Sequence, residues 1–201
     1  MKTLLVGGAR SGKSTLAARW AGERRLPVCC IVTAIAADAE MQSRIEAHRG
    51  ARPSDWRLIE EPVHLERALH EASRDGGVVL IDCVTLWISN CLWPNVTVGP
   101  SAGRARHLPE EVSEVADAGG LDVAGWQHER AAFLDALAAS SAEILLVSNE
   151  VGAGIVPDNA AARRFRDEQG WLNQRLAELC DSVYFVAAGL PLRLKPGQIT
   201  R

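Results

Sequence analysis

Eight residues near the start of the chain, Gly7-Gly8-Ala9-Arg10-Ser11-Gly12-Lys13-Ser14, fit the pattern G-x-x-x-x-G-K-[ST]. An apolar run, Thr3–Val6, stops just before them and a helical pattern starts at Lys13. In that context glycines let the loop turn tightly and aim its backbone N–H groups at phosphate oxygens, while the helix that follows presents its positive end. Lys13 then reaches the β- and γ-phosphates, and the Ser14 hydroxyl is placed to complete a Mg²⁺ shell. Only three of the 22 basic residues are lysines, at 2, 13 and 195. Arginine serves nearly everywhere else, which singles Lys13 out. The segment reads as a nucleoside-triphosphate site.

Such a site needs a carboxylate at the end of another strand to hold hydrated Mg²⁺. Asp82 follows the apolar run Gly77–Ile81 and supplies one. Two roles are open to it: metal ligand, or helix cap for the segment that begins at Cys83. A GTP switch would also carry an Asn/Thr-Lys-x-Asp element for guanine, and the lysine positions exclude it.

A second segment runs from Asp38 to Pro53. On a helix Glu40, Arg44 and His48 lie four apart and share a face, and Arg44, Arg49 and Arg52 stand close to His48 in sequence. His48 is open to two readings: a solvated surface residue, or an imidazole held among phosphate-binding cations and free to attack phosphorus. Trp56–Ile59 follows as a short strand ending in Glu60 and Glu61. The third segment, Asn149–Pro157, comes directly after the strand Ile144–Val147. Loops at the carboxyl ends of parallel strands line the ligand crevice, so this one either closes on substrate or is an ordinary turn.

The elements that must position these groups alternate along the chain. Short continuous apolar runs at Thr3–Val6, Val28–Val32, Gly77–Ile81, Ile144–Val147 and Val183–Ala187 suit strands buried on both faces of a parallel sheet. Amphipathic stretches at Lys13–Glu23, Ala39–Arg49, Val63–Ser73, Leu121–Ala139 and Ala160–Leu179 predict helices, the last capped by Asn159. Strand–helix alternation predicts an α/β fold, a P-loop-type, mostly parallel sheet flanked by helices. Residues 94–125, rich in proline and glycine, read as an irregular surface excursion of a single domain spanning 1–201.

With 201 residues, 47% hydrophobic and 23% charged, the chain has ordinary globular composition. A formal net charge of −3 argues against a protein that coats nucleic acid. No apolar run approaches the roughly 18 residues of a membrane span. The first residues reach glycine too soon for a signal peptide. Five cysteines at 29, 30, 83, 91 and 180, with no CxxC spacing, read as free thiols of a cytoplasmic protein.

Taken together, Gly7–Ser14, Arg44–Pro53, Asp82–Asn90 and Asn149–Pro157 resemble the bifunctional adenosylcobinamide kinase/adenosylcobinamide-phosphate guanylyltransferase family of cobalamin synthesis; Asn173–Ala177 and Val183–Gly189 look like that family too. The resemblance covers most of the chain in order, leaving out residues 94–125. It implies two reactions. ATP or GTP gives its γ-phosphoryl group to the hydroxyl of adenosylcobinamide, and a histidine takes GMP from GTP and passes it to the cobinamide phosphate. By position the guanylylated histidine falls on His48. The same resemblance places the nucleotide against Gly7, Gly8, Ala9, Arg10, Ser11, Gly12, Lys13, Ser14, Thr33, Ala34, Ile35, Arg49, Gly50, Ala51, Arg52, Glu60 and Asp82. It further implies a homotrimer. The other reading is a P-loop small-molecule kinase with one activity, in which His48 only helps to bind phosphate.

Overall fold

The structure is a computed structural model, and it describes residues 1–36, 39–93 and 123–196. Thirteen elements follow one another: β1 Lys2–Gly7, α1 Lys13–Glu23, β2 Val28–Val32, α2 Ala39–Gly50, β3 Arg57–Glu60, α3 Leu65–Ala72, β4 Val78–Asp82, α4 Val84–Leu92, α5 Val123–Ala139, β5 Glu143–Asn149, α6 Ala160–Leu179, β6 Ser182–Ala187 and β7 Leu190–Lys195. All seven strands join one sheet in the order β3-β2-β4-β5-β1-β6-β7. Every neighbouring pair is parallel except β6 with β7.

The strands are continuous apolar runs because alternate residues enter two different cores. Leu4, Cys29, Ile31, Val79, Ile81, Ile144 and Leu146 join the larger one, with Trp87, Trp126, Phe133 and Leu172 from α4, α5 and α6. Leu5, Cys30, Val78, Leu80, Leu145 and Val147 join the other, where α1 contributes Leu16, Ala17 and Ala21. Helix α1 therefore lies across the face under the centre of the sheet, with Trp20 edge-on to Tyr184 of β6, ring centroids 4.9 Å apart.

Three expectations shift. Strand β4 starts one residue late, because Gly77 (φ 91) turns against Pro27, whose carbonyl oxygen would lie 2.2 Å from any Cβ there. Helix α3 starts at Leu65 rather than Val63, since a Glu61 carboxylate oxygen accepts the N–H groups of Val63 and His64 at 2.9 and 2.8 Å and holds that segment as a turn. Helix α4 entered the sequence reading only as the segment from Cys83 that Asp82 could cap, and strand β7 was not expected. Helix α4 buries Val84, Thr85, Trp87, Ile88, Cys91 and Leu92 at helical spacing, but it follows directly on the apolar run of β4 with no break to mark its start. Most of the predicted excursion, residues 94–122, lies outside the described residues; 123–125 open α5. Among the described residues no helix is long and apolar enough to cross a membrane.

Candidate active site

The loop between β1 and α1 turns tightly at the carboxyl edge of the sheet. Arg10 and Gly12 take positive φ, 57° and 93°. Gly12 faces the β6–β7 turn, where a Cβ would meet the Gly189 Cα at 3.1 Å, and the Gly189 N–H donates to the Ser11 carbonyl at 2.8 Å. Gly7 is closed in from the same side: a Cβ there would lie 2.3 Å from the Val186 carbonyl oxygen. Glycine is required at these two positions by conformation or by close approach of backbone.

Lys13, 7% exposed, folds back so that Nζ donates to the Gly8 carbonyl at 2.9 Å. Burial pulls its pKa below 10.5, partly offset by the facing Cys83 and Asp82. Ser14 Oγ donates to Asp82 Oδ1 at 3.0 Å, and Arg52 Nη2 donates to Asp82 Oδ2 at 3.1 Å. Both members of that ion pair are nearly covered, their side chains 13% and 12% exposed. Asp82 ends β4 and therefore sits between α1 and the segment that follows α2. It makes no cap hydrogen bond to α4, whose N-cap is Cys83 without a side-chain cap. A hydroxyl and a carboxylate oxygen side by side, open to the cleft, are a donor set that suits Mg²⁺, a hard cation that keeps several waters. Among the described residues no cluster of three or more His, Cys, Asp and Glu offers a transition-metal cage.

These groups border one cleft of about 840 Å³. Its walls include Ala9–Thr15 of the loop, Ala34, Asp82, Glu60 of β3, and His48, Arg49 and Arg52 from α2 and the turn after it. His48 is exposed on the last turn of α2. Arg49 pairs with Glu60 across the cleft mouth. The tertiary structure thus gathers residues separated by more than seventy positions around a phosphate-binding loop.

Six expected nucleotide contacts stand off the cleft wall, among them Gly7, closed in by the Val186 backbone, and Gly8, whose carbonyl accepts from Lys13. Thr33 is fully buried and staples two strand ends: its hydroxyl donates to the Cys83 carbonyl at 2.7 Å and accepts the Cys83 N–H at 3.1 Å. Ile35 and Gly50 do not line the cleft, and Ala51 instead borders a smaller neighbouring pocket of about 330 Å³ with Pro53 and Trp56. Other walls come from outside the expected nucleotide contacts. Met41, Ile45, Leu58 and Leu86 provide apolar surface suited to a flat ring, and Asn149 reaches the cleft from the end of β5. Of the Asn149–Pro157 segment only Asn149 does so; Ile155 and Val156 are 97% and 60% exposed.

The sequence matches the family model described as cobinamide kinase/cobinamide phosphate guanyltransferase over residues 3–194. The bifunctional adenosylcobalamin biosynthesis protein CobP of Pseudomonas aeruginosa is 43% identical over 195 residues, covering 97% of this chain and 98% of that protein. CobU of Escherichia coli, also described as a bifunctional adenosylcobalamin biosynthesis protein, is 36% identical, covering 97% of this chain and 100% of that protein. Among solved structures, a prototypical ATPase of a bacterial type III secretion system covers 96% of this chain and 56% of its own with a TM-score of 0.51 and 12% identity, a likeness of fold alone. With nearly the full length matched at this identity, the chain belongs to the cobinamide kinase/cobinamide phosphate guanyltransferase family.

Proposed function

We propose that this protein phosphorylates adenosylcobinamide with ATP or GTP and then transfers GMP from GTP, through a guanylyl-histidine at His48, to give adenosylcobinamide-GDP. The observation that carries the reading is the meeting of Lys13, the Ser14–Asp82 pair and His48 on the wall of one cleft. In the first reaction the substrate hydroxyl oxygen attacks the γ-phosphorus and gives up its proton to water, the bond to the β–γ bridging oxygen breaks, and the nucleoside diphosphate leaves with that electron pair. The loop N–H groups and Lys13 hold the phosphates, so catalysis is positioning and charge stabilisation. Ser14 and Asp82 would hold Mg²⁺, which offsets charge on the phosphate oxygens. Lys13 must exchange the Gly8 carbonyl for a phosphate oxygen, a gain for an ammonium that is largely desolvated.

In the second reaction an imidazole nitrogen of His48 attacks the α-phosphorus of GTP. A P–N bond forms and pyrophosphate leaves with the electron pair of the α–β bridge. The phosphate oxygen of the cobinamide then attacks the same phosphorus, breaks the P–N bond and frees His48. Splitting one transfer into two is the usual use of a nucleophilic side chain. Arg49 and Arg52 border His48 and supply the positive charge that the α-phosphate needs. Resemblance also supports a homotrimer, which sedimentation equilibrium checks. The test of the main reading is intact mass after incubation with GTP and Mg²⁺: a gain of one guanylyl group, labile in acid and stable in mild alkali. No gain, with phosphorylation of adenosylcobinamide retained, would leave a kinase with one activity.

A further inference from the structure

Strand β5 lies between the strand that carries the phosphate loop and the strand that carries Asp82. In register, Asn149 stands opposite Gly7 on one side, and Val147, two residues earlier, stands opposite Asp82 on the other. The end of β5 is therefore the floor between the loop and the Ser14–Asp82 pair. A triphosphate held by both would bring its terminal phosphoryl group over that floor. The Asn149 side chain lines the cleft there and makes no hydrogen bond of its own among the described residues.

Its backbone, by contrast, is held on every side. The Asn149 N–H donates to Thr85 Oγ1 at 2.7 Å, and its carbonyl accepts Asn173 Nδ2 at 3.0 Å. Behind it Ser148 Oγ donates to Asn173 Oδ1 at 2.6 Å, and Gln169 Nε2 donates to both, at 2.9 and 3.1 Å. The next residue, Glu150, donates its N–H to the Gly7 carbonyl at 3.1 Å. Thr85, Ser148, Gln169 and Asn173 are buried, 9% exposed at most. Burying four polar side chains is costly unless they are paired; here they converge on one strand end, where Ser148, Gln169 and Asn173 bond to one another, with Gln169 Oε1 left without a partner among the described residues. Fixed backbone with an unengaged polar side chain is how a protein aims a group at a ligand.

We propose that Asn149 is a further catalytic residue: its Nδ2 donates to an oxygen of the γ-phosphoryl group and stabilises the charge there as the bond to the leaving group lengthens, while Thr85 and Asn173 act as positioning residues. The inference rests on the kinase reading for its role in turnover, but not for its contact with the triphosphate. Guanylylation at His48 breaks the bond at the α-phosphorus, further from this floor, and draws little on Asn149.

The test uses the full-length protein and two readouts. The first needs no corrinoid: calorimetric affinities for Mg²⁺ with a non-hydrolysable ATP analogue and with ADP. Asn149→Ala lowers the ratio of triphosphate to diphosphate affinity about fivefold or more with ADP affinity unchanged, and Asn149→Asp lowers it further by adding a like charge. The second compares reactions at saturating nucleotide: kcat for phosphorylation of adenosylcobinamide falls about 10²-fold in Asn149→Ala with little change in the KM for adenosylcobinamide, while the rate of GMP uptake at saturating GTP stays within threefold of wild type. An unchanged affinity ratio overturns the contact whatever the wild-type enzyme phosphorylates. Equal loss of both reactions makes Asn149 a structural residue. Wild type that phosphorylates no cobinamide, with the affinity ratio still sensitive to Asn149, refutes the kinase reading and leaves the contact standing. Asn149 is half-buried at a strand end, and a matched melting temperature confirms that the variants fold.

Discussion

Asp82→Asn separates the charge of the β4 carboxylate from its shape. In the structure Asp82 accepts Ser14 Oγ at 3.0 Å and Arg52 Nη2 at 3.1 Å, one on each oxygen. An amide of the same size has one acceptor left. Arg52 has no acceptor capacity, so the amide oxygen must face it, and the new NH₂ group faces Ser14. The serine hydroxyl then rotates to accept, and its proton is turned away from the carbonyl side. Two costs follow. The first is the loss of a nearly covered ion pair; removing one member of a fully buried pair costs about 3–5 kcal/mol, and the retained hydrogen bond and the open cleft bring this towards ~1–2 kcal/mol. The second falls on the metal. A hydrogen bond or ligand contact to a charged group is worth roughly 1.5–3 kcal/mol, which at about 1.4 kcal/mol per decade gives a loss of about 10- to 100-fold in kinase kcat/KM at limiting Mg²⁺. The assay is the kinase rate as a function of Mg²⁺ at fixed ATP, beside a urea melt. The variant is expected to need a much higher Mg²⁺ concentration for half-maximal rate. An unchanged Mg²⁺ titration in a folded variant would refute the reasoning and place the metal carboxylate elsewhere.

Lys13→Ala should remove phosphorylation of adenosylcobinamide and leave the far-UV spectrum unchanged, since the amine makes a single hydrogen bond among the described residues, to the Gly8 carbonyl; near-normal turnover would rule out the phosphate-loop assignment. Because the pKa of Lys13 is lowered from 10.5 by burial, the unfolded chain holds the extra proton across the interval between the two values, and stability contributed by this group rises with pH there. Lys13→Met should accordingly be stabilised relative to wild type at neutral pH, with the gap closing as pH climbs towards 10.5, read from denaturant midpoints. His48→Ala should take up no GMP and form no GDP-linked corrinoid while still phosphorylating adenosylcobinamide; acid-labile labelling of that variant would mean another nucleophile. Gly7→Ala forces a Cβ to 2.3 Å from the Val186 carbonyl oxygen, where only backbone can yield. A loss of about 1–3 kcal/mol is expected for such overpacking, and an unchanged melting temperature would contradict the close approach of β1 and β6.

The chain by itself carried the phosphate loop, the buried parallel strands and the acid that ends β4. Each is a short-range signal: a turn that only glycine can make, a run of apolar residues covered on both faces, a carboxylate directly after such a run. Helices α1, α3 and α6 were legible for the same reason, through one apolar stripe each. Helix α4 was not, because its nine residues follow directly on the apolar run of β4, and β7 was not, because Pro191 interrupts the alternation of Leu190, Leu192 and Leu194. The site needed the fold even more. Nothing along the chain says that β5 runs between β1 and β4, yet that order brings Asn149 to the centre of the cleft. Nothing near Thr33 says that its hydroxyl is spent on the Cys83 backbone, fifty residues away, and not on a ligand. Periodicity and propensity report what a residue's own neighbours in sequence do. Which strand ends meet, and which polar groups satisfy one another there, is settled by packing between segments far apart in the chain, and only the tertiary structure records it.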